Sequence, residues 1–112
     1  MVAFSIEFYS AKVLAAIEKW PVGVAADFAR LTELLLEVGP DLRLPHSRAL
    51  GDGLFELRAR GREGDGRAFY GFLIGRRVVI VHAAIKKTEK TTKRDLDLAR
   101  IRWTEVKSWQ KR

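Results

Sequence analysis

The chain has 112 residues, of which 47% are hydrophobic, and this predicts a single domain over residues 1–112 with a core of its own. It contains no cysteine, which excludes a disulfide scaffold, a thiolate metal site and a cysteine nucleophile. No apolar run approaches the length of a membrane span and no signal peptide opens the chain. We therefore expect a cytoplasmic protein that does not contact a membrane.

Charge divides the chain into two unequal parts. Residues 1–53 carry five basic and seven acidic side chains, whereas residues 54–112 carry sixteen basic and seven acidic ones. Basic residues can simply keep a small protein soluble, but solubility does not require them to be concentrated in one half. The segregation favours binding to a polyanion, above all a nucleic acid.

The first part of the chain predicts one strand and two helices. Apolar and polar residues alternate over residues 3–9, which is typical of a half-buried strand. Ser10 is a suitable cap for a helix that continues to about Lys19 and ends before Pro21. A second helix is predicted from about Val24 to Val38, and Gly39-Pro40 ends it.

The second part predicts three strands and a last helix. Residues 39–53 are rich in proline and glycine and are interpreted as a loop. The predicted elements that follow are strands Leu54–Arg60, Arg67–Ile74 and Val78–Ile85, then a helix from Thr91 or Thr92 to about Trp109. The order β-α-α-β-β-β-α predicts an α+β domain, with a mainly antiparallel sheet flanked by helices that are grouped on one face.

Familiar catalytic patterns are missing from the sequence. No glycine-rich phosphate loop opens a helix, and no serine has the context of a nucleophile elbow. Glu56 and Asp65 are the only acids near the basic strands, so we do not expect catalysis by paired carboxylates. The two histidines lack metal-ligand spacing, and we expect neither a metal nor a cofactor. His46 follows Pro45 in the loop and is interpreted as structural.

A constellation of basic residues remains as the candidate site. Arg58 and Arg60 share the polar face of one predicted strand, Arg67 opens the next, and lysines follow the third. Antiparallel neighbours bring such residues to one region of a sheet. The residues that we expect to converge there, exposed and beside aromatic side chains that stack on bases, are Arg58, Arg60, Arg67, Tyr70, Lys86, Lys87 and Lys90.

A simpler interpretation also exists for these cations. Lysine and arginine on a solvated edge strand discourage aggregation, and we accept that interpretation for Arg76 and Arg77 in a turn. His82 lies in an apolar strand, where a histidine is more often a satisfied core residue than a catalyst. Alternation nevertheless places His82 on the same face as Lys86, which keeps it as a secondary candidate.

Motifs in this region resemble those of a known family. The sequence contains Leu44-Pro45, then the run Leu50–Arg58 (LGDGLFELR), Arg67–Tyr70 (RAFY), Val81-His82 and Lys86–Thr91 (KKTEKT). Order and spacing resemble the phage-derived Gp49-like or HigB-like branch of the RelE/ParE toxin superfamily, whose members typically read GLWELR, RVFY and HGFxKKTQKTP. Among its departures from that pattern, the chain has Ala84 where the family usually has phenylalanine and Thr92 where it usually has proline.

The resemblance implies the toxin of a type II toxin–antitoxin pair with a compact RelE-like fold. It implies a metal-independent endoribonuclease that cleaves messenger RNA on the ribosome, and an antitoxin encoded by an adjacent gene. Arg67 would stabilise the phosphate, Arg58 and Lys87 match basic active-site positions, and Lys86 or Lys87 would carry a proton. The residues assigned to RNA binding are Arg60, Tyr70, His82 and Lys90.

Two other functions stay open at this stage. A ParE-like gyrase inhibitor would have the same fold and act by binding a protein without hydrolysis. A basic nucleic-acid-binding domain without catalysis, such as a degenerate toxin, would fit Ala84 and the lack of a clear general base. Fold alone does not choose between these functions.

Overall fold

Five strands form one sheet in the computed structural model, which describes residues 3–86 and 91–110. They are β1 (Ser5–Phe8), β2 (Ser47–Gly51), β3 (Leu54–Gly61), β4 (Gly64–Leu73) and β5 (Arg77–Lys86), in the spatial order β1-β5-β4-β3-β2. β1 runs parallel to β5, and the other neighbouring strands are antiparallel. The prediction of an α+β fold with a mainly antiparallel sheet is confirmed.

The helices in the described part of the chain are α1 (Ala11–Glu18), α2 (Val22–Val38) and α3 (Lys93–Ser108). The Ser10 hydroxyl accepts a hydrogen bond from the Val13 backbone N–H, which caps α1 as predicted, and Thr92 caps α3 in the same way. α2 begins directly after Pro21, two residues earlier than predicted. No helix within residues 3–86 and 91–110 combines the length and hydropathy needed to cross a bilayer.

The segment predicted as a loop over residues 39–53 contains a 3₁₀ helix, Gly39–Asp41, and the edge strand β2. β2 pairs with β3 and shifts its register between Ala49 and Gly51. The loop prediction was wrong here because a five-residue strand at a sheet edge carries neither clear alternation nor an apolar run. The element order is therefore β-α-α-β-β-β-β-α, with one strand more than predicted.

The sheet is covered on both faces, so the prediction that the helices are grouped on one face was wrong. α1 and α2 pack on one face, in a cluster that contains Leu57 and Tyr70. α3 packs on the other face, where Trp103 belongs to a cluster with Phe69. Phe69 and Tyr70 are consecutive in β4 and both are buried, so this strand needs apolar cover on both sides.

Two glycines of β4 allow tryptophan rings to lie directly on the sheet. Trp20 covers Gly66 on the α1 and α2 face, where an added Cβ would stand 2.6 Å from the ring. Trp103 covers Gly71 on the α3 face just as closely. Any side chain at either position would collide with an indole ring, and the two helical layers depend on glycine there.

A β-bulge in β5 determines which side chains face α3. Tyr70 pairs with Ile80 and Phe69 pairs with His82, which leaves Val81 as the extra residue. Val81 packs in the α3 cluster, and the His82 ring stacks on Phe69 of that cluster at 5.6 Å. Beyond the bulge, alternation keeps Lys86 on the same face as His82, as predicted.

Candidate functional site

Three strands bring basic side chains together on the α3 face, beside the start of that helix. Arg58 of β3 lies directly opposite Arg67 of β4, and in the next row Asp65 lies opposite both Arg60 and Lys86. Residues that lie opposite one another project to the same face of a sheet. We call Arg58, Arg67 and Lys86 the basic cluster. The register thus brings together three of the cations that the sequence singled out.

Arg67 is a buried arginine that a buried carboxylate holds in place. Its Nη1 lies 3.2 Å from Glu56 Oε2 and donates a hydrogen bond to Thr91 Oγ1 at 3.0 Å. The Thr91 hydroxyl donates in turn to the same Glu56 oxygen. The exposed fractions of Arg67 and Glu56 are 1% and 0%, so the expectation of an exposed Arg67 was wrong.

Glu56 was not among the predicted site residues, because a single acid on a basic strand gives no paired-carboxylate pattern. The sequence pattern that could have identified Glu56 is the alternation of β3, which places it on the same face as Arg58. In the structure, Arg58 Nε lies 3.9 Å from Glu56 Oε1. Glu56 has no exposed surface, so a substrate hydroxyl does not reach it in this conformation. Its role is that of a positioning residue for Arg67 and Arg58.

Asp95, in the first turn of α3, holds the second part of the site. Its Oδ1 lies 2.9 Å from His82 Nε2, and its Oδ2 accepts hydrogen bonds from Lys86 and from the Thr92 hydroxyl. Burial by itself would raise the pKa of Asp95, but the hydrogen bonds from His82, Lys86 and Thr92 outweigh it and lower the pKa to about 2. The His82 side chain keeps 15% of its surface exposed beside this carboxylate.

The lowered pKa of Asp95 predicts a change of stability in acid. Its pKa is about 2 in the folded protein and its ordinary value is 3.8, so its stabilising contribution is complete above pH 3.8 and is lost as the pH falls through about 2. Asp95→Asn should therefore cost most stability near neutral pH and little near pH 2. Urea unfolding of both proteins across this pH range measures the difference, and a difference that does not change with pH would contradict the assignment.

Tyr70 does not belong to the site, and the prediction that it contacts RNA was wrong. It lies three residues after Arg67 in β4, so the two side chains point to opposite faces of the sheet. The Tyr70 hydroxyl is 2.5 Å from Ser47 Oγ, and only 1% of the residue is exposed. Burial raises the pKa of Tyr70 to about 12, and the hydrogen bond with Ser47 opposes part of that rise.

The remaining predicted residues have different positions. Arg60 is exposed and lies with Arg58 at a cleft on the outer edge of β3. Lys87 and Lys90 lie outside the described residues, and their roles stay predictions.

Preorganised cations are the chemistry that this site offers. Arg67 and Lys86 are each held by a carboxylate before any ligand arrives, and fixed cations of this kind stabilise negative charge that develops on a phosphate. Within residues 3–86 and 91–110, no group of three or more His, Asp or Glu side chains is arranged to hold a metal ion.

The mixed sheet with helices on both faces is an α+β fold similar to that of RelE. The structure is similar to RelE in the crystal structure of the archaeal RelE–RelB complex from Pyrococcus horikoshii OT3, with a TM-score of 0.55 and 19% sequence identity over 80% of this chain and 100% of that one. The sequence profile of the family described as phage-derived protein Gp49-like (DUF891) matches residues 15–104. The chain belongs to this Gp49-like family, a family of RelE/HigB-like toxins. No curated protein matches the chain.

Proposed function

We propose that this protein is the toxin of a type II toxin–antitoxin pair, and that it cleaves messenger RNA in the cytoplasm on the translating ribosome. The observation that carries the proposal is the basic cluster of Arg58, Arg67 and Lys86, which three strands direct to one face. Membership of the Gp49-like family supports a toxin, and the complex of RelE with RelB supports an antitoxin partner.

The proposed reaction needs no metal. The 2′-oxygen of a ribose attacks the adjacent phosphorus and loses its proton, while the bond to the 5′-oxygen breaks and that oxygen gains a proton. Charge builds up on the phosphoryl oxygens, where the partly exposed Arg58 stabilises it by contact and the buried Arg67 adds its positive charge from beneath the surface. Lys86, oriented by Asp95, lies on the same face and approaches the same phosphate.

The ribosome supplies what this site lacks. Glu56 is fully buried and offers no general base to a substrate. The bond to Asp95 occupies Nε2 of His82, which leaves only the Nδ1 of a ring that is 15% exposed. A second body that aligns the 2′-hydroxyl with the phosphate would provide much of the rate by orientation. The basic half of the chain would also bind ribosomal RNA through phosphate contacts that depend on salt but little on sequence.

We expect negligible cleavage of a naked messenger RNA and clear cleavage of the same message during translation. New RNA ends, mapped in a reconstituted translation reaction, should lie in frame with codons and disappear when initiation is blocked. A chelator should leave the cleavage intact, provided that the ribosomes stay assembled. Equal cleavage of free and translated RNA would contradict the dependence on the ribosome and leave a plain ribonuclease.

The same purified protein can be assayed for the two other functions, gyrase inhibition and RNA binding without catalysis. Loss of gyrase supercoiling activity without new RNA ends would identify a ParE-like gyrase inhibitor. RNA binding with neither effect would identify a binding domain without catalysis. The antitoxin is tested by co-purification with the product of the adjacent gene, and an acidic segment of that partner should bind the basic face at a rate that falls with salt.

A further inference from the structure

A second basic surface lies next to the basic cluster, at the outer edge of β3. β2 pairs with β3 no further than Leu57, so in the described part of the chain no strand flanks the outer side of β3 from Arg58 onward. A cleft of about 320 Å³ occupies this place, and it is lined by Asp27, Arg30, Pro45, His46, Arg58 and Arg60. Arg58 belongs to both surfaces, because its Nε also faces Glu56 at 3.9 Å.

Asp27 of α2 organises the cleft. Its Oδ1 accepts hydrogen bonds from Arg30 Nε at 3.0 Å and from Arg30 Nη2 at 2.8 Å, and its Oδ2 accepts one from the Arg60 backbone N–H at 2.8 Å. The two bonds from Arg30 to Asp27 hold the guanidinium at the edge of β3. They use Nε and Nη2, and a guanidinium has further N–H donors on Nη1. On the opposite wall, the His46 carbonyl accepts a hydrogen bond from the Arg58 N–H, which ties the His46 turn to β3.

The composition of the cleft fits a nucleotide better than a simple anion. Three arginines and one aspartate line the cleft, so its lining carries a net positive charge that attracts phosphate. The His46 ring and the arginine guanidinium planes are surfaces on which an unpaired base stacks. The cleft is open to solvent on the exposed side of Arg30, whose side chain is 54% exposed.

We propose that this cleft binds an RNA nucleotide that flanks the scissile phosphate, with Arg30 and Arg60 on its phosphate and His46 against its base. Arg58 then connects the two surfaces, so that one strand of RNA passes from the basic cluster around the edge of β3. The inference rests on the proposed function and deepens it, since it gives His46, which the sequence suggested to be structural, a place in substrate binding.

The test measures binding of a short single-stranded RNA whose 2′-hydroxyls are all methylated, so that the protein cannot cleave it. Fluorescence anisotropy gives the affinity at a series of salt concentrations. Arg30→Ala should weaken binding and reduce the slope of log affinity against log salt by about 0.7, the loss of one phosphate contact. Arg30→Lys should keep most of that slope. His46→Ala should weaken binding about fivefold or more and leave the slope unchanged, because stacking releases no counterions.

Arg77→Ala is the matched control. Arg77 is also an ion-paired, partly exposed arginine, bonded to Glu7, but it stands at the opposite end of β5 from Lys86. Unchanged affinity and slope in both Arg30→Ala and His46→Ala would overturn the inference, even if the wild-type protein cleaves translated RNA. Weaker binding in both variants of a protein that produces no RNA ends would uphold the cleft and overturn the nuclease.

Discussion

Arg67→Ala is expected to lower the free energy of unfolding by about 3–5 kcal/mol, because it leaves the buried Glu56 carboxylate without its principal partner. Growth arrest should be lost as well. The sequence led us to expect an exposed Arg67, and its burial is the reason for the expected loss of stability. Urea unfolding measures the stability, with Arg77→Ala as a surface ion-pair control that should change it far less than Arg67→Ala does.

A double variant separates the structural role of Arg67 from its role in the reaction. In Glu56→Leu with Arg67→Met, apolar side chains of similar size replace the whole buried ion pair, and such exchanges are often neutral for stability. We expect this protein to fold and to produce no RNA ends. A stable double variant that cleaves like the wild type would show that Arg67 only supports the fold, and would remove it from the proposed site.

Arg58→Ala is expected to reduce cleavage of translated RNA by about 10²–10³-fold, the usual loss when one preorganised donor to a developing charge is removed. Stability should suffer less than in Arg67→Ala, because the Arg58 side chain is 18% exposed and lies 3.9 Å from Glu56. The measurement is the rate at which RNA ends appear in the translation reaction, compared with unfolding of the same protein.

The control for this prediction is again Arg77→Ala, which removes an arginine far from the basic cluster and should cleave at the wild-type rate. A folded Arg58→Ala protein with undiminished cleavage would contradict the assignment of the basic cluster as the catalytic surface. Arg58→Lys keeps the positive charge but loses the planar fork of donors, and it should recover only part of the rate.

Local signals in the sequence were sufficient for most of the secondary structure. Ser10 and Thr92 provide hydroxyls at the starts of α1 and α3, and Gly39 ends α2. These signals act through hydrogen bonds and backbone preferences over three or four residues, so they can be recognised from the sequence without knowledge of the rest of the fold. The β2 strand carries no such signal, since pairing with β3 alone makes it a strand.

The charge of the site was also determined by the sequence, because alternation in β3 and the short hairpin to β4 already bring Arg58 and Arg67 together. Their environment was decided by the tertiary structure. Burial of Arg67 against Glu56 requires Thr91 and the start of α3 to close over β4, and the side of the sheet that α3 covers depends on apolar residues far apart in the chain. Alternation along β4 already puts Tyr70 on the face opposite Arg67, and the tertiary structure decides that α1 and α2 cover and bury that face. Register and burial are set by contacts between distant segments, and no local pattern records them.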